Sequence, residues 1–389
     1  VEVITMNSRE RVLAALNHTE PDRVPFDMGG TVITGIHYKA YAALRDYLGL
    51  PNREPKIIDM IQQLALVEDD VMERLGVDMK NISPRSSASF NIVVKEMGEY
   101  TCFYDEFQIG WRMPKDGGWY YDMYDHPLQG DVTEADIEDY RFPDARDPVR
   151  FAGLREAALR IANEEKRAVV FGNISAGIFE MYTWLRGYKA AYTEWAEDPK
   201  MASKLMRRIF EMQLAYWEKA LPVVGDVIDV AQCADDVAGQ NGMLISPRSY
   251  RKLLKPLHKE LFDYIHARTN AKIFFHSCGA VRAIIPDLIE VGVDILNPVQ
   301  VSATGMDSAE LKREYGKDLT FWGGGVDTQR VFGTGTPQEV REDVKRHVTD
   351  LMPGGGFVFN TVHNIQGNVP PENIMAMWET LQEYGVYGK

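Results

Sequence analysis

Cysteine is scarce in this sequence: Cys102, Cys233 and Cys278 are the only three among 389 residues. Three thiols in a chain of this length make no disulfide framework, and they suit a reducing, cytoplasmic setting. Long hydrophobic runs are missing too. No stretch approaches the ~20 apolar residues that a membrane helix needs, so no membrane association is expected. Positive charge is in deficit, with 43 Lys and Arg against 57 Asp and Glu, a net charge of −14. That deficit removes the electrostatic footprint expected of a nucleic-acid binder and disfavours a highly anionic substrate. The opening VEVITMNSRERVLAAL has no charged segment followed by an apolar one, so no secretory signal is expected. Repeats, low-complexity tracts and Pro/Gly/Ser linkers are absent as well, and a single domain over residues 1–389 is the simplest reading.

What is present is apolar material for one large core, 45% of the residues, arranged in alternating strand and helix patterns. Eight short β-branched or apolar runs end in polar residues: Val24–Met28, Val77–Ser83, Ala168–Ser175, Val227–Ala231, Lys272–His276, Val293–Pro298, Leu319–Gly323 and Gly356–Thr361. Near-continuous apolar runs are the pattern of strands buried on both faces. Between them lie helical patterns with start signals, Asp307-Ser-Ala-Glu310 and Thr336-Pro-Gln-Glu339. Gly292 and Gly316 supply stops. Eight strands alternating with helices predict an α/β fold, a (β/α)8 TIM barrel. An open doubly wound sheet would need a glycine-rich phosphate turn after an early strand, and Gly29-Gly30-Thr31 is too short for one. Residues 89–128 break the alternation. Aromatic and polar residues alternate there around Gly and Pro, which predicts a β-meander inserted after the second barrel strand. Its aromatics, Trp111, Trp119, Tyr120, Tyr121 and Tyr124, either pack as a lid or cover a substrate, with Trp119 and Tyr120 as candidate contacts.

A barrel gathers its chemistry at the carboxyl ends of its strands. Those ends supply Asp27, Asn173, the pair Asp235-Asp236, His276, Cys278, Asn297, Gln300, Asp327, Asn360 and His363. On an extended segment, residues two apart point to the same side, so His276 and Cys278 can reach one point. Imidazole and thiolate are a natural zinc pair, and His363 at the end of the last strand is the best third ligand. The plainer alternative is a small buried thiol beside an unrelated histidine. Asp235-Asp236 reads as a positioning or proton-transfer pair, or as loop acids and a helix cap. The polar strand ends Asn173, Asn297, Gln300 and Asn360 are candidate substrate contacts.

Several segments resemble the uroporphyrinogen decarboxylase superfamily. They are Arg9-Glu-Arg-Val-Leu-Ala-Ala-Leu16 with Glu20-Pro-Asp-Arg-Val-Pro25, ISPRSYRKLLKPLHKEL at 245–261, HSCG at 276–279, WGGGVDTQRVFGTGTPQEVRE at 322–342 and PPENIMAM at 370–377. The resemblance implies a β/α barrel. Decarboxylases of that superfamily hold porphyrinogen carboxylates with arginines in an Arg-Gln-Ala-Gly-Arg segment near the amino terminus. The corresponding residues 26–35 here contain no arginine and carry Asp27. The other branch comprises zinc-dependent methyltransferases that exchange methyl groups with a corrinoid protein. Its zinc site resembles His-x-Cys plus a later Cys before a Pro-x-Glu-Asn segment, matched here by His276 and Cys278, with His363 in place of the later Cys. A second ligand pattern, found in enzymes that demethylate phenyl methyl ethers, is matched in spacing by Asp327, Glu342 and His363.

The resemblance therefore implies bound zinc and a corrinoid supplied by a separate protein. It also implies a small methyl donor or acceptor, an aromatic methyl ether among the options. Two alternatives stay open: a metal-independent decarboxylase working through Asp27 or Asp235-Asp236, and a non-catalytic barrel that binds a small molecule.

Overall fold

The computed structural model describes residues 6–172 and 174–388; Asn173 lies outside them. Seven parallel strands form one curved sheet in the order Met79–Ile82, Ala168–Phe171, Val230–Ala234, Lys272–His276, Ile295–Asn297, Thr320–Trp322 and Phe357–Val358. The chain near Val24–Met28 fills the eighth position. Phe26 pairs in parallel with Phe359. The Asp27 N–H donates to the Phe359 carbonyl (2.9 Å), and the Asp78 N–H donates to the Phe26 carbonyl (2.9 Å). Bonds to both the last strand and the second close the ring, giving the expected TIM barrel. Pro25 has no N–H to give, so this edge is held by isolated bonds and not by a regular ladder.

Strand limits differ most from the sequence reading at two strands: the third, expected at Ala168–Ser175, ends at Phe171, and the fourth is displaced along the chain. The fourth strand, expected at Val227–Ala231, runs Val230–Ala234. Val227 and Ile228 instead bond back to the Val224 carbonyl at the end of helix Pro199–Val224, the sheet ladder starting only beyond them. Their β-branched side chains pack equally well in either place, which is why composition misplaces them. The start signals do better. Thr336 and Glu339 form a reciprocal capping box on helix Pro337–Leu351, and Asp307 accepts from the Glu310 N–H at the head of Ser308–Tyr315.

After the second barrel strand comes a four-stranded antiparallel meander, Lys95–Met97, Tyr100–Tyr104, Gly110–Pro114 and Asp122–Asp125. Asp105 organises its central turn. One carboxylate oxygen accepts the Phe107 and Ile109 N–H groups, each at 2.9 Å, and the other accepts Trp111 Nε1 at 2.8 Å. Trp111 then packs edge-on against Trp184, ring centroids 5.2 Å apart, which joins the meander to the barrel mouth. Among the described residues, no helix is long and apolar enough to cross a membrane.

Candidate metal centre and cavity

His276 ends the fifth strand, and Cys278 follows on the loop. Their ligand atoms, His276 Nε2 and Cys278 Sγ, are 3.5 Å apart. His363 follows the last strand in a left-handed conformation, φ 66°, and its ring meets that of His276 edge-on at 5.2 Å. The ligand atoms of His276, Cys278 and His363 all lie within 4.8 Å of one another, the one such group among the described residues. The barrel is narrow enough for strands five and eight to meet across its mouth.

The electrostatics of the three are distinct. Burial holds His363 down at about 3, helped by His276 beside it, so its ring is a neutral donor at physiological pH. Burial raises the Cys278 thiol well above its usual range, and the nearby Asp236 and Glu180 push the same way. Asp236 accepts the Cys278 N–H at 2.8 Å and lies 3.8 Å from His276 Nε2. Burial raises Asp236 too, and raises Glu180 together with the charges of Asp236 and Asp235.

His276, His363, Asp236 and Glu180 open on a cavity of about 700 Å³ between the barrel mouth and the meander. His276, His363, Asp236, Glu180 and Gln232 lie at the barrel end, and Phe90, Phe107, Trp111, Tyr121, Trp184 and Tyr188 supply aromatic wall. Asp235 is not among its lining residues. Its carboxylate accepts the Phe179 and Glu180 N–H groups (3.0 and 2.9 Å) at the head of helix Ile178–Arg186 and bonds His258 Nε2 at 3.0 Å. The adjacent acids therefore face different surroundings, one tying helices together and the other facing the cavity.

The remaining candidates spread out. Asp27 is buried below the mouth, accepting from Trp322 Nε1 and the Gly30 N–H, both at 2.8 Å, and burial raises it to about 6. Asn297 lies behind His276 and faces no solvent. Gln300 accepts the Gly279 N–H at 2.8 Å. Asn360 Nδ2 donates to the Asp27 carbonyl, while its Oδ1 is buried without a partner. Tyr120 bonds Gln366. Trp119, 37% exposed, lies under Lys39. Within residues 89–128 the aromatics that line the cavity are Phe90, Phe107, Trp111 and Tyr121. The alternative ligand set does not assemble: Glu342 is exposed on helix Pro337–Leu351, and Asp327 accepts the Gln329 and Arg330 N–H groups.

Glu180, Gln232 and Trp184 were not picked out from the sequence. Glu180 sits in the first turn of the helix after the third strand, a place where barrel enzymes present side chains to the mouth. Its position after Gly177 was the available signal.

Residues 126–384 match the family described as Uroporphyrinogen decarboxylase (URO-D). The uroporphyrinogen decarboxylase of Chlorobium limicola is 24% identical over 265 residues, covering 64% of this chain and 70% of its own length. That of Alkalilimnicola ehrlichii is 21% identical over 268 residues, covering 67% of this chain and 68% of its own. Among solved structures, a methyltransferase from Methanosarcina mazei has the same fold, with TM-score 0.64, 19% identity, and coverage of 98% of this chain and 99% of that one. With two thirds of its length matched by the family and the barrel formed as that family requires, this chain belongs to the uroporphyrinogen decarboxylase (URO-D) family.

Proposed function

We propose that the protein is a zinc-dependent methyltransferase that moves a methyl group between a small oxygen- or sulfur-methylated compound and a corrinoid held by a separate protein. The observation that carries this reading is the convergence of His276, Cys278 and His363, two of which, His276 and His363, line the cavity. A tetrahedral zinc with Zn–N near 2.05 Å and Zn–S near 2.3 Å would hold nitrogen and sulfur about 3.6 Å apart. His276 Nε2 and Cys278 Sγ are at 3.5 Å. A donor set of two imidazoles and one thiol suits zinc and not the oxygen-seeking magnesium or calcium. Three protein ligands leave a fourth position open for substrate.

Bound there, zinc would supply Lewis acidity toward the heteroatom that carries the methyl group. The protein's own part is placement. His276 and His363 set the near side of the site with Cys278 beside them, Trp111 and Trp184 wall it against water, and Val32 and Ile33 give an apolar face to the methylated compound. The structurally similar protein from Methanosarcina mazei is a methyltransferase, which supports the same reading. The lining counts against a polyanionic tetrapyrrole. Among the described residues it carries six carboxyl side chains and two arginines, and Arg150 is already paired with Glu106 at 3.0 Å.

The direct test is metal analysis of protein purified without chelators, followed by assay of methyl ethers and thioethers with a reduced corrinoid protein. About one zinc per chain and zinc-dependent methyl transfer are expected. Metal-free protein that releases carbon dioxide from a porphyrinogen would replace this reading with the decarboxylase one.

Two further results are expected on adding zinc to metal-free protein. Because the Cys278 thiol is held protonated and His363 is already neutral, binding near neutral pH should release about one proton per zinc, read in a weakly buffered solution. Release of none would mean that Cys278 is not a ligand. The second concerns His363. Its Nδ1 accepts the Asn364 N–H at 2.8 Å. If Nδ1 binds zinc, its lone pair is taken; if Nε2 binds, the ring proton moves to Nδ1. Either way this hydrogen bond is lost, so the Asn364 amide signal should shift and its hydrogen exchange quicken. An unchanged amide would remove His363 from the ligand set.

A further inference from the structure

The two histidines of the site are held differently, and the difference traces to one side chain. Asn297 stands on the sixth strand in register with His276 on the fifth, and no part of it is exposed. Its Nδ2 donates to the Trp322 carbonyl at 2.7 Å. A backbone carbonyl only accepts, so the amide cannot be turned over without setting two acceptors face to face. The Asn297 carbonyl oxygen must therefore face His276 Nδ1, with which it is hydrogen-bonded. That oxygen also only accepts, so Nδ1 must carry the ring proton. In a neutral imidazole, Nε2 then keeps its lone pair. Nε2 is the atom beside Cys278 Sγ, where the thiol is placed to donate to it.

We propose that Asn297 is the positioning residue of the metal centre, fixing the tautomer and orientation of His276 so that Nε2 is presented as a ready ligand. This rests on the zinc reading for the identity of the bound group, but the tautomer follows from the protein's own hydrogen bonds. The support extends back across the barrel: Trp322 is anchored through its Nε1 to Asp27 Oδ2 at 2.8 Å. Asn297 thus acts from behind the ring, without touching substrate. His363 has no such partner, its Nδ1 being occupied by the Asn364 N–H. His276 and Cys278 make a standing half-site that His363 completes.

The test uses the full chain, metal-free, with nitrogen chemical shifts of the histidine rings and zinc affinity by chelator competition as readouts. The wild-type His276 should carry its proton on Nδ1. Asn297→Leu should lose that tautomer preference and bind zinc about 10- to 100-fold more weakly. Asn297→Asp, which keeps an acceptor toward Nδ1 while its other oxygen, protonated, donates to the Trp322 carbonyl, should retain most of the affinity. A wild-type His276 protonated on Nε2 would overturn the proposal without recourse to any variant. So would a folded Asn297→Leu protein with native zinc affinity. If the Nδ1 tautomer is found in a protein that takes up no zinc, the methyltransferase reading fails while the positioning role stands.

Discussion

His276→Ala should leave the protein without stoichiometric zinc and lower methyl transfer about a thousandfold or more, the scale of several kcal/mol of lost charge stabilisation. The loss is large because the ring does two things at once. It supplies the nitrogen that stands 3.5 Å from Cys278 Sγ, and it occupies the acceptor of Asn297. Without it the remaining donors are a raised thiol and a histidine whose Nδ1 is engaged elsewhere. The cost to folding should be modest, about 1–3 kcal/mol for leaving a buried acceptor unpaired, so a folded, metal-free protein is the expected product. Glu342→Gln is the matching control. Glu342 is exposed and not part of the cluster, so this variant should keep its zinc and its activity. Metal retained in His276→Ala and lost in Glu342→Gln would reverse the ligand assignment in favour of Asp327, Glu342 and His363.

Why the barrel was legible while parts of its site were not has a physical basis. Seven strands announce themselves as apolar runs because both their faces are buried, as in Ala168–Phe171, where all four residues are inside. The polar residues that follow each run mark the mouth. His276 and Cys278 could be paired from the two-residue period alone, because an extended backbone turns alternate side chains the same way. His363 could be added only as a strand-end residue, since nothing local to its sequence states what lies across the barrel. The same limit explains the acids. Asp235 and Asp236 are equivalent in sequence, yet one is drawn to the head of helix Ile178–Arg186 and to His258 while the other accepts the Cys278 N–H. Trp119 and Trp111 are likewise both aromatic residues of the meander. Asp105 holds Trp111 inward by its indole N–H, whereas Trp119 lies on an irregular stretch between strands, where no alternation rule applies. Partner choice over long sequence separation decides these cases, and that information is spread over the whole chain.

The second large effect is expected far from the chemistry, at Asp78. This residue precedes the second strand, and its buried carboxylate joins three parts of the chain. Oδ1 accepts from Arg11 Nη1 at 2.7 Å and from Arg23 Nη2 at 3.0 Å. Oδ2 accepts from Arg23 Nη1 and from the Phe26 N–H, both at 2.8 Å. Its own N–H meets the Phe26 carbonyl. The irregular edge at Pro25–Asp27 has few ladder bonds, so much of its attachment to the second strand passes through this one side chain. Asp78→Ala leaves the Phe26 N–H unpaired and takes from Arg23 its carboxylate partner, while Arg11 keeps Asp22 at 2.6 Å. Breaking a buried pair from one side costs about 3–5 kcal/mol, a large share of the ~5–15 kcal/mol that holds a typical domain. Denaturant unfolding should show that loss. Below its melting transition the variant should still bind zinc as the wild type does, because Asp78 is not among the residues that line the cavity. A loss under about 1 kcal/mol, the ordinary effect of a single substitution, would mean that the ring is closed by the backbone bonds of Phe26, Asp27 and Phe359 alone.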